Sequence, residues 1–459
     1  MIKLDSTANQ LFTIKNIASK CLFAWAAIIF HQTSMAAIPI QHWTQANGAQ
    51  IYLVESPAIA MLDVQIDFDA GSRRDPIDKS GLASVTAGLL ADGVAARNGE
   101  PALDENMLGE AWADMGAQFS SRANTDRMSF SLRTLTDPGL LDKAIALEAR
   151  QIGEPSFPDN IWQRDRQKLI ASIKESYTRP ASVAGRAYAK AVYVGHPYGY
   201  EPTEQSLSGI NVADMKAFYD EGVVACRARI SMVGAVTRVQ ADAIAQRLLS
   251  RLPQVPCASL SAQQPVPEVD ALKQAEQKEI VFDSAQAQVL MGQPGYKRND
   301  PLFFPMLVGN YILGGGGFVS RLSNEVREKR GLSYSVSSSF SPGLHAGAFT
   351  VGLQTRPDQA SQALEVTRKV VRDFVAQGPT SAELKAAKDN LIGGFALLID
   401  SNRKLLGNVA NIAWNDLPLD YLDTWTQQIE KVGVIDIKNA FAAKLQPEKM
   451  VTIILGGKP

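Results

Sequence analysis

Residues 214–236 read DMKAFYDEGVVACRARISMVGAV, and residues 436–458 read DIKNAFAAKLQPEKMVTIILGGK. The two segments align without a gap at an offset of 222, so Asp214 falls on Asp436 and Gly234 on Gly456. In the first copy a helical stretch, Val212 to Tyr219, leads to a strand, Ala228 to Val233. At the same offset Leu169-Ile170 falls on Leu391-Ile392. Upstream, the alternating strand Met128, Phe130, Leu132 has its counterpart in Phe349, Val351, Leu353. Self-similarity at a fixed offset is the mark of a duplicated unit.

The rest of the first half fits such a unit. Ile51 to Val54 reads as a strand. Val64, Ile66 and Phe68 alternate with Gln65 and Asp67, as in a half-buried strand. Ala70–Asp75 is turn chemistry, followed by a helical stretch from Gly81 to Leu90. Helical patterns cover roughly 138–151 and 159–176, and His196-Pro197-Tyr198-Gly199 is a loop. Residues 251–277 are rich in Pro, Ser, Ala and Gln without periodicity, and read as a linker. The expected fold is α+β: two tandem homologous domains, 37–250 and 278–459, each a mainly antiparallel sheet with helices packed on one face.

Composition narrows the function. Of 459 residues, 46% are apolar and 20% charged, which describes a globular chain. A formal net charge of -1 gives no basic footprint for nucleic acid. At the N-terminus, Lys15 and Lys20 precede an apolar core, Cys21 to Phe30, and small residues at Ser34-Met35-Ala36. This predicts a signal peptide over 1–36, an exported, periplasmic protein, and no membrane attachment after cleavage. Cys226 and Cys257 then remain, free to pair or to stay as buried thiols.

The chemistry-bearing stretch is GGGGFVSRLSNEVREKRGLSYSVSSSF, residues 314–340. Four glycines, Gly314, Gly315, Gly316 and Gly317, precede a helical segment that buries Leu322 and Val326 on one face. Gly331 ends it. A strand pattern follows from Ser333 to Phe340. Arg327 and Tyr334 therefore sit on neighbouring elements, where a guanidinium and a phenol can hydrogen-bond a peptide backbone or an oxyanion. The run Gly316-Gly317, Ser320-Arg321-Leu322, Arg327, Gly331-Leu332, Tyr334 resembles the second half of pitrilysin/insulinase-type zinc peptidases, including the mitochondrial processing peptidases. The Ala70–Asp75 turn, Gly81-Leu82-Ala83 and His196–Gly199 match the same family's first domain, so the resemblance covers nearly the whole mature chain. It implies half of a clamshell, with Arg327 and Tyr334 holding substrate and stabilising a tetrahedral intermediate. The glycine run, Gly314–Gly317, reads equally as a loop that lets a peptide approach its backbone closely and as a flexible entry to the helix.

In active members the helix after Gly-Leu-Ala carries H-x-x-E-H, two zinc ligands and a water-activating Glu. Here those positions are Ser84, Ala87 and Gly88. A third ligand would fall near Gln163–Asp165, and Asp165 alone cannot hold a catalytic zinc. The mature chain keeps only His42, His196 and His345, none at metal-ligand spacing; His196, beside a proline, reads as structural. The resemblance thus implies a non-catalytic subunit that binds no zinc itself and does not hydrolyse peptides alone. A homologous zinc-bearing partner would complete a heterodimeric peptidase acting on peptide substrates. An inactive scaffold and a peptide-binding clamshell without hydrolysis are the competing expectations.

Overall fold

The 222-residue offset governs the architecture. A computed structural model describes residues 38–457; the segment expected to be a signal peptide lies outside them. Thirteen strands occur among the described residues. They are β1 (Gln41–Thr44), β2 (Gln50–Glu55), β3 (Met61–Phe68), β4 (Gly93–Val94), β5 (Leu103–Asp104), β6 (Gln118–Ala123), β7 (Met128–Leu135) and β8 (Arg229–Gly234) in the first half. The second half holds β9 (Glu276–Ile280), β10 (Ala287–Pro294), β11 (Ser335–Phe340), β12 (Ala348–Thr355) and β13 (Val451–Leu455). The first sheet runs β1-β2-β8-β3-β7-β6 and the second β11-β12-β10-β13-β9. Without β1, the two orders are the same once one is reversed. In each sheet the closing strand lies parallel to the first strand, β2 with β8 and β9 with β13, and the remaining pairs are antiparallel.

The repeated segment folds the same way twice. Helix Val212–Gly222, the 3-10 turn Ala225–Arg227 and β8 correspond to helix Val434–Lys444, the 3-10 turn Pro447–Lys449 and β13. The first helix opens with a capping box: Asn211 Oδ1 accepts from Asp214 N–H, and Asp214 Oδ2 accepts from Asn211 N–H, both at 3.0 Å. In the second copy Asp436 still accepts from the backbone of Gly433 at 2.8 Å, but the glycine has no side chain to return the bond.

Each sheet packs its own helices on one face. In the first half, Leu62, Val64, Ile66 and Phe68 of β3 join Phe130, Trp162 and Met215 in one apolar core. Burying each such side chain contributes about 1.5–3 kcal/mol. The opposite face of each sheet is covered by a helix from the other half, an exchange that no hydrophobic pattern announced. Helix Pro180–Tyr193 of the first half lies on the second sheet, where Ala184, Tyr188 and Val192 pack against Val451, Ile453 and Leu455. Tyr188 donates to Phe349 O at 2.7 Å. Gly292 makes room for it: a Cβ there would stand 2.2 Å from the Tyr188 hydroxyl.

The reciprocal helix, Asn402–Trp414, covers the polar face of the first sheet. Arg127 bridges Asp67 (2.8 Å) to Ala410 O (3.1 Å), and Arg229 reaches Trp414 O at 3.1 Å and Asp416 at 2.8 Å. Two cations thus meet the carbonyls at this helix's C-terminus, where the helix dipole favours positive charge. They also flank the Trp414 ring, with centroid distances of 5.4 and 5.7 Å. Pro180 and Asn402 are again 222 apart, so the exchange obeys the duplication. From Pro39 onward the two halves form one unit.

The segment read as a linker is stitched down. Cys257 forms a disulfide with Cys226, with Cα atoms 5.6 Å apart. Gln263 donates to Asp69 O, Gln264 O accepts from Arg74, and Pro267 O meets His196 Nε2 at 2.8 Å. His196 Nδ1 accepts from Tyr198 N–H, so both ring nitrogens are engaged and the side chain is structural. Burial, foremost, pushes its pKa below the ordinary imidazole value.

Candidate functional site

The glycine run ends a helix and closes a sheet edge. Helix Phe303–Asn310 continues as a π-helical turn, Tyr311–Gly315, whose end abuts β11. Gly314 is buried there: a Cβ would stand 2.4 Å from Ser338 Oγ and 2.5 Å from Ser338 N. Asn310 completes the cover, donating to Ser338 O at 3.2 Å and accepting from Ser338 Oγ at 2.7 Å. An uncovered edge strand would template pairing with another chain. Gly315 and Gly317 are exposed and Gly316 half-buried. Of the four glycines expected to meet substrate, Gly314 is held away by packing and the other three reach the surface.

The next segment is helical as expected but π-wound over Ser323–Glu328. Leu322 and Val326 are fully buried, which anchors it. Gly331, at φ +61°, donates its N–H to Arg327 O at 2.8 Å and ends the helix in a left-handed conformation. π-turns recur at functional sites because they re-aim side chains. Arg327 lies within this winding, its side chain 28% exposed. Its guanidinium carbon lies 4.9 Å from the Tyr334 ring centroid and 4.4 Å from that of Phe318. The cation thus lies within cation–π distance of both rings. Its ion pair is with adjacent Glu328, at 3.4 Å. Tyr334 is 80% exposed, just before β11, and its hydroxyl has no hydrogen bond among the described residues. Sequence spacing put Arg327 and Tyr334 on neighbouring elements, and the fold brings them into contact. Phe318 belongs to the same cluster, and a large apolar residue directly after a glycine run was the available signal.

Helix Leu82–Gly88 occupies the position of the metal-binding helix. Asp75, from the Ala70–Asp75 turn, caps it by accepting from Gly81 N–H (2.8 Å) and Ala83 N–H (2.9 Å). Ser84 and Gly88 lie one turn apart and exposed, and nothing stands within 4 Å of where a Cβ on Gly88 would be. Ala87 is fully buried, and its carbonyl accepts from Ser121 Oγ at 2.7 Å. The side chains at 84, 87 and 88 supply no imidazole and no carboxylate, so they do not fit a zinc ion. Asp165 is held below the ordinary carboxylate range by hydrogen bonds from Arg164, and Lys168 pairs with it at 3.0 Å. Arg164 also joins Glu105 at 3.0 Å. Asp92 nearby is pushed up to about 6 by burial, then by Glu105 and Asp165. Among the described residues no group of three or more His, Cys, Asp or Glu is arranged to hold a metal.

Residues 209–391 match the family model described as the peptidase M16 inactive domain. The crystal structure of a peptidase M16 inactive domain from Pseudomonas fluorescens is 32% identical, with a TM-score of 0.85 over 92% of this chain and 98% of that one. The chain belongs to the peptidase M16 family. Another M16-like relative, the non-peptidase homolog YmxG of Helicobacter pylori, is 24% identical over 94% of this chain and 96% of its own length. The periplasmic protease PqqL of Escherichia coli shares the fold at 20% identity and a TM-score of 0.77; this chain covers 46% of PqqL. This M16 chain is an inactive-type member whose degenerate helix is intact as a structure.

Proposed function

We propose that this chain is the non-catalytic subunit of a two-chain M16 metallopeptidase. A homologous exported subunit carries the zinc, and this chain lends Arg327 and Tyr334 to the substrate there. The observation that carries the reading is the Arg327–Tyr334 pair itself: a guanidinium carbon 4.9 Å from the ring centroid of an exposed phenol whose hydroxyl has no hydrogen bond among the described residues. Two donors fixed in advance can grip a peptide carbonyl and meet the negative charge that develops on its oxygen, with little reorganisation. The Cys226–Cys257 disulfide suits an oxidising compartment, which favours the periplasm.

The test is co-expression with an exported homologue that retains H-x-x-E-H, measuring bound zinc and peptide cleavage for each chain and for the pair. The expected result is no stoichiometric zinc on this chain alone and cleavage only by the pair. Arg327→Ala or Tyr334→Phe should lower turnover about 10²–10³-fold without releasing zinc. Unchanged turnover in both variants would return the chain to the scaffold class.

A further inference from the structure

We infer that Phe318 and Val319 make this site selective for peptides that carry a large apolar side chain beside the gripped carbonyl. The inference rests on Arg327 and Tyr334 being a peptide-holding pair. Phe318 is 68% exposed and its chain neighbour Val319 78%, and Phe318 and Tyr334 both lie against the Arg327 guanidinium. Exposed apolar groups gathered in one place mark interaction surfaces, whereas scattered ones need no account. This patch is also built to stay exposed. Gly317–Val319 forms a 3-10 turn entered by Gly317 at φ +62°. Ser320, fully buried, donates its hydroxyl to Gly317 O at 2.7 Å, and Gly316 N–H donates to Tyr311 O at 2.8 Å. Anchored at both ends, the turn cannot fold its apolar side chains inward.

The chemistry of the patch points to one occupant. The Tyr334 hydroxyl has no hydrogen bond among the described residues, and the Arg327 guanidinium, whose Nε lies 3.4 Å from Glu328 Oε1, has two further nitrogens, so the pair is complementary to the carbonyls of an extended backbone. Phe318 stacks on one side of the same guanidinium, so a backbone gripped by Arg327 places a flanking side chain against Phe318 and Val319. A large apolar side chain would cover that surface, and a small one would leave it wet.

The test is equilibrium binding of two dye-labelled extended peptides to the isolated full chain, read by fluorescence polarisation. The peptides are identical except for one central residue, Phe or Ala. Wild type should bind the Phe peptide at least about tenfold more tightly. Phe318→Ser with Val319→Ser should bring the ratio near one and leave the urea midpoint unchanged, because both side chains are exposed. Arg327→Ala should weaken both peptides and keep the ratio. Equal binding by wild type, no binding of either peptide, or a ratio that survives the double substitution overturns the inference. So does concentration-dependent self-association lost in the double variant, which would assign the patch to a second copy of this chain. The ratio is read without the partner, so a pair whose turnover ignores Arg327 and Tyr334 sinks the two-chain reading alone. A flat ratio beside an active, Arg327-dependent pair sinks only this one.

Discussion

Glu148→Gln should stabilise the protein by an amount that grows with pH. Glu148 lies on helix Pro138–Gly153 among Ala144, Ile145, Leu147 and Ile152 of the first-half core. Its exposure is 0%, and neither carboxylate oxygen has a hydrogen-bond partner. Burial alone pushes its carboxyl from 4.5 up to about 8, so the folded protein carries it as the neutral acid at pH 7. The unfolded chain ionises near 4.5. Between those two values only the unfolded state has released the proton, so stability falls as pH rises from about 4.5 to 8 and is level above. The slope is about 1.4 kcal/mol per pH unit, which amounts to about 3 kcal/mol at pH 7 and about 5 kcal/mol at pH 8. Glutamine keeps the shape and cannot ionise. The two proteins should therefore have similar urea midpoints at pH 4.5 and diverge steadily to pH 8, followed by tryptophan fluorescence. A midpoint difference that is constant across this range would refute the reasoning, because it would mean that Glu148 titrates alike in both states.

Two glycines of one run should behave oppositely in kind. Gly314→Ala forces a methyl into Ser338 and should destabilise by about 1–3 kcal/mol through overpacking, whereas Gly317→Ala meets open space and should lose only about 1 kcal/mol to its left-handed backbone; urea titration of both variants separates the two causes. Removing the disulfide with Cys226→Ser and Cys257→Ser frees a loop with a sequence separation of 31 and should cost about 3–4 kcal/mol by chain entropy, checked by the same titration. Ser84→His with Gly88→His puts two imidazoles one turn apart on an exposed face, and calorimetry should detect weak zinc binding with no peptide cleavage, since a catalytic zinc needs about three protein ligands; absence of binding would mean that the helix no longer has the geometry of a metal site.

Much of this architecture was legible because duplication preserves pattern. The helix and strand of residues 214–234 and 436–456 align residue for residue, and the alternating Met128, Phe130, Leu132 and Phe349, Val351, Leu353 mark central strands in both sheets. The exchanged helices were not legible. Pro180–Tyr193 and Asn402–Trp414 carry ordinary apolar stripes, and a stripe does not say which sheet it will cover. The π-winding of Ser323–Glu328 was hidden for a related reason: one inserted residue shifts the period only locally, and burial of Leu322 and Val326 satisfies either winding. The glycine run invited a ligand reading, but glycine serves any close approach, and at Gly314 the close approach is to the chain's own strand.

The degenerate helix and the Arg327 cluster differ in how far folding accounts for their residues. At the degenerate helix every retained feature has a structural use: Asp75 caps two N–H groups, and Ala87 is buried with its carbonyl bonded to Ser121. A helix that must pack in this fold would keep those features whether or not it ever held a metal. At the other end the argument reverses. An 80% exposed phenol without a hydrogen bond adds little to stability, and neither does a phenylalanine standing out from a rigid turn. Folding alone has little use for two exposed rings whose centroids lie 4.4 and 4.9 Å from the Arg327 guanidinium carbon. A peptide held by that cluster would give these two rings a use.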